Sequence, residues 1–368
     1  MVATKGSSPV GQERVQSLLR LLLSFVLAVA VFLVLRWGTG FMRDTEAPRL
    51  ALLAVGLLTG VVGVWAIYWV LNDLAMRIPR ERVRRLVLAY VFVGPALLLL
   101  LVYLVYPAIR TIYLSLYDAK SVNFVGLQNY KLILTSPDFL VVIRNNLLWL
   151  VFGTTFCVSL GLVIAVLVDR VRRESFWKSW IFLPLAISAV SASVTWKFIY
   201  AFSPPNRPQI GLLNAIVVAM GGKPQAWLIL QPWNNLALIA IFVWIQTGFC
   251  MVILSAALKG VPAEVVEAAR IDGANEIQIF FRVLIPTIRP TVVTVTTTIL
   301  VAVLKVFDIV YTMTGGNFKT QVIANAMYQQ FKFTQYGVSS ALAVILLVAV
   351  LPIMVINVHN LRQQRRIR

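Results

Sequence analysis

The chain has 368 residues, of which 60% are hydrophobic and only 13% are charged, and its mean hydropathy is +0.84. This composition excludes a water-soluble domain and indicates a polytopic helical membrane protein. The formal charge of +19 does not indicate nucleic-acid binding, because Lys and Arg lie in short segments between long apolar runs, as the positive-inside rule predicts for cytoplasmic connectors.

The N-terminal part of the sequence predicts two membrane spans. The first apolar run, Leu21–Leu35, is short for a bilayer, and the second is Leu50–Leu71. The basic segment Arg77–Arg85 follows the second run and indicates a connector in the cytoplasm. We therefore interpret residues 1–81 as an extension with two transmembrane helices, which precedes the main transmembrane domain, residues 82–368.

Further apolar runs predict the spans of the main domain. They are Leu86–Ile109, Asn145–Val168, Ser179–Trp196, Leu236–Leu258, Thr291–Thr312 and Val338–Val358. Pro184 lies inside the fifth span of the chain, where proline often marks a kink. Lys and Arg concentrate in the connector Asp169–Lys178, in the segment after the sixth span and in the C-terminal tail. Since these basic segments all fall on one side, the sequence predicts an all-α protein with about eight spans and both termini in the cytoplasm.

A polar interruption, Val261–Pro286, separates the sixth and seventh predicted spans and holds four of the 14 acidic residues of the chain. Pro262 suits the first position of a helix, and Gly273 is placed to end that helix in a left-handed conformation. Asn275 followed by Gln278 resembles a capping box, which predicts a second helix that the final proline stops. The sequence thus predicts two short helices and a turn at the membrane surface. A plain amphipathic connector is the alternative interpretation.

The residue spacing in this interruption resembles the EAA signature of ABC-importer permeases: Glu-Ala-Ala, three residues, Gly, nine residues, then a short apolar run that ends in Pro. The matching residues are Glu267, Ala268, Ala269, Asp272, Gly273, Ala274 and Pro286. Val283 and Ile285 are conservative departures from the signature. The Asp-Gly-Ala string at 272–274 has the form usual in sugar permeases. The strings at 124–130 and 307–316 also resemble that group.

This resemblance implies a type I (MetI-like) permease fold with a core of six helices, extended here by the two N-terminal helices. It also implies that Val261–Pro286, named the EAA loop below, docks into a cleft of a cytoplasmic ATPase. The chain is then expected to be the transmembrane permease subunit of an ATP-driven importer in the bacterial inner membrane. The expected solute is a sugar, an oligosaccharide or a glycoside. The implied partners are a second permease in a heterodimer, an ATPase dimer and a solute-binding protein outside the membrane.

ATP hydrolysis is expected in the separate ATPase subunit. The sequence contains no G-x-x-x-x-G-K-[ST] string, so we expect ATP and Mg²⁺ to bind to that partner and no cofactor to bind to this chain. One histidine and two cysteines argue against a His/Cys metal site. Two alternatives stay open at this point. One is an ABC permease for a non-sugar solute, and the other is an ion-coupled secondary transporter, which would normally place several carboxylates near the bilayer midplane.

Charged and polar residues inside apolar runs indicate a solute pathway. Lys305 and Asp308 are three residues apart in the seventh predicted span and would share one face of a helix. They either line the pathway or form a structural ion pair. Asn145 either packs between helices or holds solute hydroxyls. The complete set of candidate pathway residues is Asn145, Lys305, Phe307, Asp308, Thr312, Asn325 and Tyr328.

Overall fold

The computed structural model describes residues 29–43, 48–76, 80–204 and 206–367, together with Val26 and Ile78. The chain divides into two compact units, Met1–Ala108 and Ile109–Arg368. Regular structure in the described residues is helical, and an isolated bridge between Tyr117 and Phe124 is the only β-type pairing among them. The all-α prediction is therefore confirmed. The predicted boundary at residue 81 between extension and permease domain stays a prediction.

The described part of the first unit is built from apolar helices. They are α1 (Val29–Met42), α2 (Arg49–Met76) and α3 (Glu81–Leu100), and α3 continues into a π-helical turn, Leu101–Val105. A Cβ atom at Gly38 would overlap the side chain of Thr59, so glycine lets α1 and α2 approach closely. The ring of Tyr68 stacks on that of Phe92 at 5.9 Å, which joins α2 to α3.

The remaining helices complete the chain. They are α4 (Tyr106–Leu114), α5 (Gln128–Thr135), α6 (Pro137–Leu148), α7 (Thr154–Val168), α8 (Glu174–Phe182), α9 (Ala189–Ile199), α10 (Leu212–Ala219), α11 (Trp233–Lys259), α12 (Ala263–Ile271), α13 (Glu276–Ile279), α14 (Ile285–Leu304), α15 (Asp308–Met313), α16 (Ile323–Lys332) and α17 (Tyr336–Ile367). π-helical turns at Trp149–Gly153 and Phe280–Leu284 join α6 to α7 and α13 to α14.

Six helical stretches among the described residues are long and apolar enough to cross a membrane. They are Arg49–Asp73, Glu81–Leu114, Pro137–Val168, Trp233–Lys259, Glu276–Leu304 and Tyr336–Val358. A seventh results if the bent pair Glu174–Ala186 and Ala189–Ile199 counts as one span. The predicted first span, Leu21–Leu35, lies partly outside the described residues. The described part of the chain thus holds six or seven candidate spans.

The predicted fifth span, Ser179–Trp196, falls within a bent pair of helices, and Pro184, which the sequence marks as a kink, lies just before the bend. The chain bends by 99° between Ala186 and Ala189, after a 3-10 turn that contains Pro184. Proline lacks the N–H that would continue the α-helical pattern. Ser188 then starts α9, since its side chain accepts a hydrogen bond from the backbone N–H of Ser191 at 3.2 Å.

Helix α11 is the centre of the second unit, and 56% of the residues in its most apolar stretch are buried. Helix α7 lies against it, and a Cβ atom at Gly161 would overlap Cys250. Cys157 and Cys250 are both buried and free, so they act as small packing residues. Trp149 packs edge-on against Phe242 with the ring centres 5.9 Å apart. This packing fixes the two ends of α11, one at the EAA loop and the other beside the 314–322 loop.

Candidate functional site

The EAA loop has the predicted structure of two short helices and a turn. α12 ends at Ile271, and α13 begins at Glu276. Gly273 has a φ of +81°, the left-handed conformation that its position predicted. The N–H of Ala274 donates to the carbonyl of Ala269 at 3.0 Å and closes the end of α12. Because a Cβ atom at Gly273 would meet no described atom within 4 Å, the backbone conformation and not lack of space favours glycine here.

The predicted capping box is also present. The side-chain oxygen of Asn275 accepts from the N–H of Gln278, and the Gln278 side chain accepts from the N–H of Asn275, both at 2.9 Å. Pro262 precedes the first helical residue, so its predicted place inside the helix was wrong by one position. Pro286 does not stop the second helix as predicted. It lies in the first turn of α14, directly after a π-helical turn has already interrupted the α-helical hydrogen-bond pattern.

Apolar side chains of the EAA loop face outward. Helix α12 has no buried residue, and Ile271 is 87% exposed. Ile277 and Phe281 are exposed as well. The acidic residues Glu267 and Asp272 are also exposed. Exposed apolar residues concentrated in one polar loop indicate a surface that contacts another protein.

The structure corrects the interpretation of Lys305 and Asp308. Helix α14 ends at Leu304, and α15 begins at Asp308, so the two charged residues do not share one helical face. Phe307 interrupts the helix with backbone angles of φ −136° and ψ −58°. Both charged side chains are exposed, and neither forms an ion pair with another described residue.

An aromatic cluster of Phe307, Tyr311 and Tyr328 forms beside this break. Phe307 and Tyr311 stack with their ring centres 5.1 Å apart. Tyr328 meets them edge-on at 5.2 and 5.4 Å. The Nζ atom of Lys332 lies 5.9 Å from the centre of the Tyr328 ring. The cluster thus unites two candidate positions, Phe307 and Tyr328, with Tyr311. The prediction omitted Tyr311, although its place four residues after Phe307 is the available signal.

Two candidate amides hold a neighbouring loop. Asn145 is fully buried and donates to the backbone carbonyls of Lys319 and Gln321, each at 2.8 Å. Asn325, also fully buried, donates to the carbonyl of Gly315 at 3.2 Å and to the side chain of Gln321. Thr312 is half-buried on α15. A direct contact of these residues with solute stays a prediction.

Further asparagines outside the set of candidate pathway residues support the same loop, residues 314–322. Asn234 on α11 donates to the carbonyl of Phe318 at 2.8 Å, and Asn146 on α6 accepts from the N–H of Ile323 at 2.7 Å. Phe318 and Lys319 have φ values of 57° and 60°, which are uncommon for residues other than glycine. Buried amides therefore fix an irregular loop next to the aromatic cluster.

Comparison with known proteins identifies the family. Residues 157–366 match the family described as binding-protein-dependent transport system inner membrane component. The osmoprotective compounds uptake permease protein GgtC of Synechocystis is 56% identical over 278 residues, which cover 75% of this chain and all of that relative. The alpha-glucoside transport system permease protein AglF of Rhizobium meliloti is 49% identical over 76% of this chain and 84% of its own length.

The fold is also found in a solved transporter. A chain in the crystal structure of a bacterial alginate ABC transporter, in complex with a periplasmic protein bound to alginate pentasaccharide, aligns with a TM-score of 0.66. The two chains are 21% identical, and the alignment covers 77% of this chain and 96% of the other. The permease fold predicted from the EAA signature is confirmed. This chain belongs to the family of inner membrane components of binding-protein-dependent transport systems, and it is a multi-pass permease subunit of an ABC transporter.

Proposed function

We propose that this permease forms part of the pathway through which an ATP-driven importer carries a glycoside or oligosaccharide. The aromatic cluster is the observation that supports this solute class. Sugar rings present apolar C–H faces and a rim of hydroxyl groups, so their sites combine aromatic surface with a few polar groups. The cluster offers the rings of Phe307 and Tyr311, and the exposed charges of Lys305 and Asp308 lie beside them in the chain. The alpha-glucoside relative agrees with this class.

The EAA loop is the proposed contact with a separate ATPase subunit, which binds ATP and Mg²⁺. The ATPase would contact the exposed apolar residues of the loop, Ile271, Ile277 and Phe281. Glu267 and Gly273 supply the charge and the turn of the EAA signature. The loop connects α11 directly to α14, so a displacement of the loop moves the inner ends of two spans together.

The remaining parts of the proposal concern partners and orientation. A second permease completes the pathway, and a binding protein delivers the solute to the outer face. The EAA loop, both termini and the basic connectors lie in the cytoplasm, as the Lys and Arg distribution predicts. Labelling of introduced cysteines with a membrane-impermeant reagent tests the orientation. Asp272→Cys and Arg80→Cys should resist the reagent from outside, while Lys223→Cys should react. Reaction of either of the first two variants would overturn this topology.

A variant of the aromatic cluster tests the solute class. The assembled importer in vesicles should take up glycosides in preference to amino acids or peptides. Phe307→Leu should raise the KM for uptake by about five-fold, since it removes one ring from the cluster. Phe333→Leu is the matched control, because Phe333 is 70% exposed and lies outside the cluster. Preferred uptake of an amino acid, or equal KM values for Phe307→Leu and the wild type, would refute the proposed solute class.

A further inference from the structure

The α7–α8 connector, Asp169–Lys178, contacts the chain on both sides of the turn in the EAA loop. It follows α7 and includes the first residues of α8. The sequence marks it only as a basic segment between two apolar runs. In the structure its charged side chains form two layers of contacts. An inner layer reaches the last turns of α11, and an outer layer reaches α13.

The inner layer fastens the connector to the end of α11. Lys178 Nζ lies 2.6 Å from Asp169 Oδ1, and the side chains of this pair are only 19% and 15% exposed. The hydroxyl of Ser255 donates to Asp169 at 2.7 Å and accepts from Lys178 at 2.6 Å, so all three groups are satisfied together. One turn further along α11, Lys259 Nζ lies 2.5 Å from Glu174 Oε1. The EAA loop starts directly after that turn.

The outer layer fastens the connector to the second helix of the EAA loop. Arg170 Nη2 donates to Glu276 Oε2 at 2.9 Å across 106 residues of sequence. Arg270, at the end of α12, donates to Glu276 Oε1 at 3.0 Å. Each carboxylate oxygen of Glu276 therefore receives one guanidinium group. Glu276 joins α12, α13 and the connector at a single point.

These contacts matter for position because few other contacts hold the loop. Helix α12 buries no side chain, and Ile279 is the buried residue of α13. The side chains of Arg170 and Glu276 are 60% and 50% exposed, and ion pairs this exposed contribute little to folding stability. Arg170 lies in the turn after α7, and Glu276 is the first residue of α13, so the pair instead holds these two segments in a fixed relative position.

The connector also leads toward the aromatic cluster. It runs into α8, which continues through the bend after Ala186 into α9. Helix α9 packs against α15, the helix that carries Asp308 and Tyr311. A movement of the connector therefore has a packed route to the proposed solute pathway. Helices α8, α9 and α15 also pack against α11, so this route runs beside the one through α11 and α14.

We propose that the α7–α8 connector is a brace for the EAA loop and that Arg170 is its positioning residue. Through the bond from Arg170 to Glu276, the brace couples a displacement of the loop to α7 and α8 as well as to α11 and α14. This inference rests on the proposed function of the EAA loop as the contact with the ATPase. Arg170 does not touch the solute or the nucleotide; it sets how far the motion of the loop is transmitted.

The test compares Arg170→Gln with Arg172→Gln in the complete importer, reconstituted in vesicles with its ATPase, second permease and binding protein. Arg172 is the matched control, since it lies in the same connector, is exposed and forms no ion pair with another described residue. We expect Arg170→Gln to keep the ATPase attached and to hydrolyse ATP, but to transport about three-fold less solute per ATP than the wild type. Arg172→Gln should match the wild type, and Arg170→Lys should recover part of the loss because it retains a positive charge.

A second readout separates positioning from general damage. Spin labels at Arg172→Cys and Glu264→Cys report the distance between the connector and α12, and the native cysteines are buried. Adding Arg170→Gln should broaden this distance distribution, even if the variant assembles poorly. An unchanged transport-to-ATP ratio with an unchanged distribution would overturn the brace. Failure of the wild-type chain to hold the ATPase would instead overturn the proposed function of the EAA loop, which keeps the two failures distinct.

Discussion

Replacement of Gly273 tests the turn of the EAA loop with a change of a single carbon atom. Gly273 has a φ of +81°, and a Cβ atom there would meet no described atom within 4 Å. Gly273→Ala therefore introduces strain in the backbone without a collision inside the chain. A left-handed conformation costs an alanine about 1–2 kcal/mol. That cost lowers the population of the native turn by roughly 5- to 30-fold relative to its distorted forms.

Gly273→Asn is the matched control for this substitution. Asparagine has a larger side chain than alanine but adopts the left-handed conformation more readily. If the backbone conformation at residue 273 determines the effect, the Asn variant should bind the ATPase less well than the wild type but better than the Ala variant. If the space in the cleft of the partner determines the effect, the Asn variant should bind less well than the Ala variant.

The assay is co-purification of the ATPase with each variant, followed by solute-stimulated ATP hydrolysis in vesicles. We expect attachment and hydrolysis to fall in the order Gly, Asn, Ala. Both variants should still insert in the membrane, because residue 273 lies outside the candidate spans. Wild-type attachment of the Ala variant, or an Asn variant below the Ala variant, would refute the reasoning from the backbone angle.

Other positions give further expected outcomes. Because the helix is broken between Lys305 and Asp308, their effects on uptake should be additive, and a double Leu variant that is milder than the single variants would contradict this. Gly161→Ala should lower the free energy of unfolding of the purified permease by about 1–3 kcal/mol, because the new Cβ would overlap Cys250. Gly60→Ala should leave it unchanged, because no described atom lies within 4 Å of the new Cβ. Asn145→Ala removes the donor to the Gln321 carbonyl and one of two donors to the Lys319 carbonyl, and it should cost about 1–3 kcal/mol; proteolysis of the 314–322 loop at the wild-type rate would argue against this anchor.

The EAA loop was predictable because its signals are local. A capping box requires only Asn275 and Gln278, and the left-handed turn requires only Gly273, so a few neighbouring residues determine the structure. The error at Pro286 has a different origin. A π-helical turn before it changed the hydrogen-bond pattern, and no sequence signal marked that turn.

The aromatic cluster could be predicted only in part. Phe307 and Tyr311 are close in sequence, but Tyr328 reaches them from a different helix. The helix break at Phe307 lacks both glycine and proline. Its neighbour Val306 is buried, so packing against the rest of the chain favours the irregular backbone there. The backbone conformation at such a position depends on tertiary contacts, which hydrophobic periodicity does not report.

Long-range polar contacts were beyond the reach of sequence patterns. The bond between Arg170 and Glu276 spans 106 residues, and the asparagine anchors of the 314–322 loop come from α6 and α11. Each of these side chains has an ordinary explanation in its own segment, as a basic connector residue or as a polar residue at a helix end. Their partners become evident only when the helices are packed.

Uptake of a labelled glycoside by vesicles that contain the assembled importer is the most direct measurement of the central claim. We expect uptake to require ATP on the side of the EAA loop and the binding protein on the opposite side. It should persist when ion gradients across the membrane are collapsed, because the energy comes from the partner ATPase. Uptake that continues without ATP and stops when an ion gradient is collapsed would contradict the assignment of this chain to an ATP-driven importer.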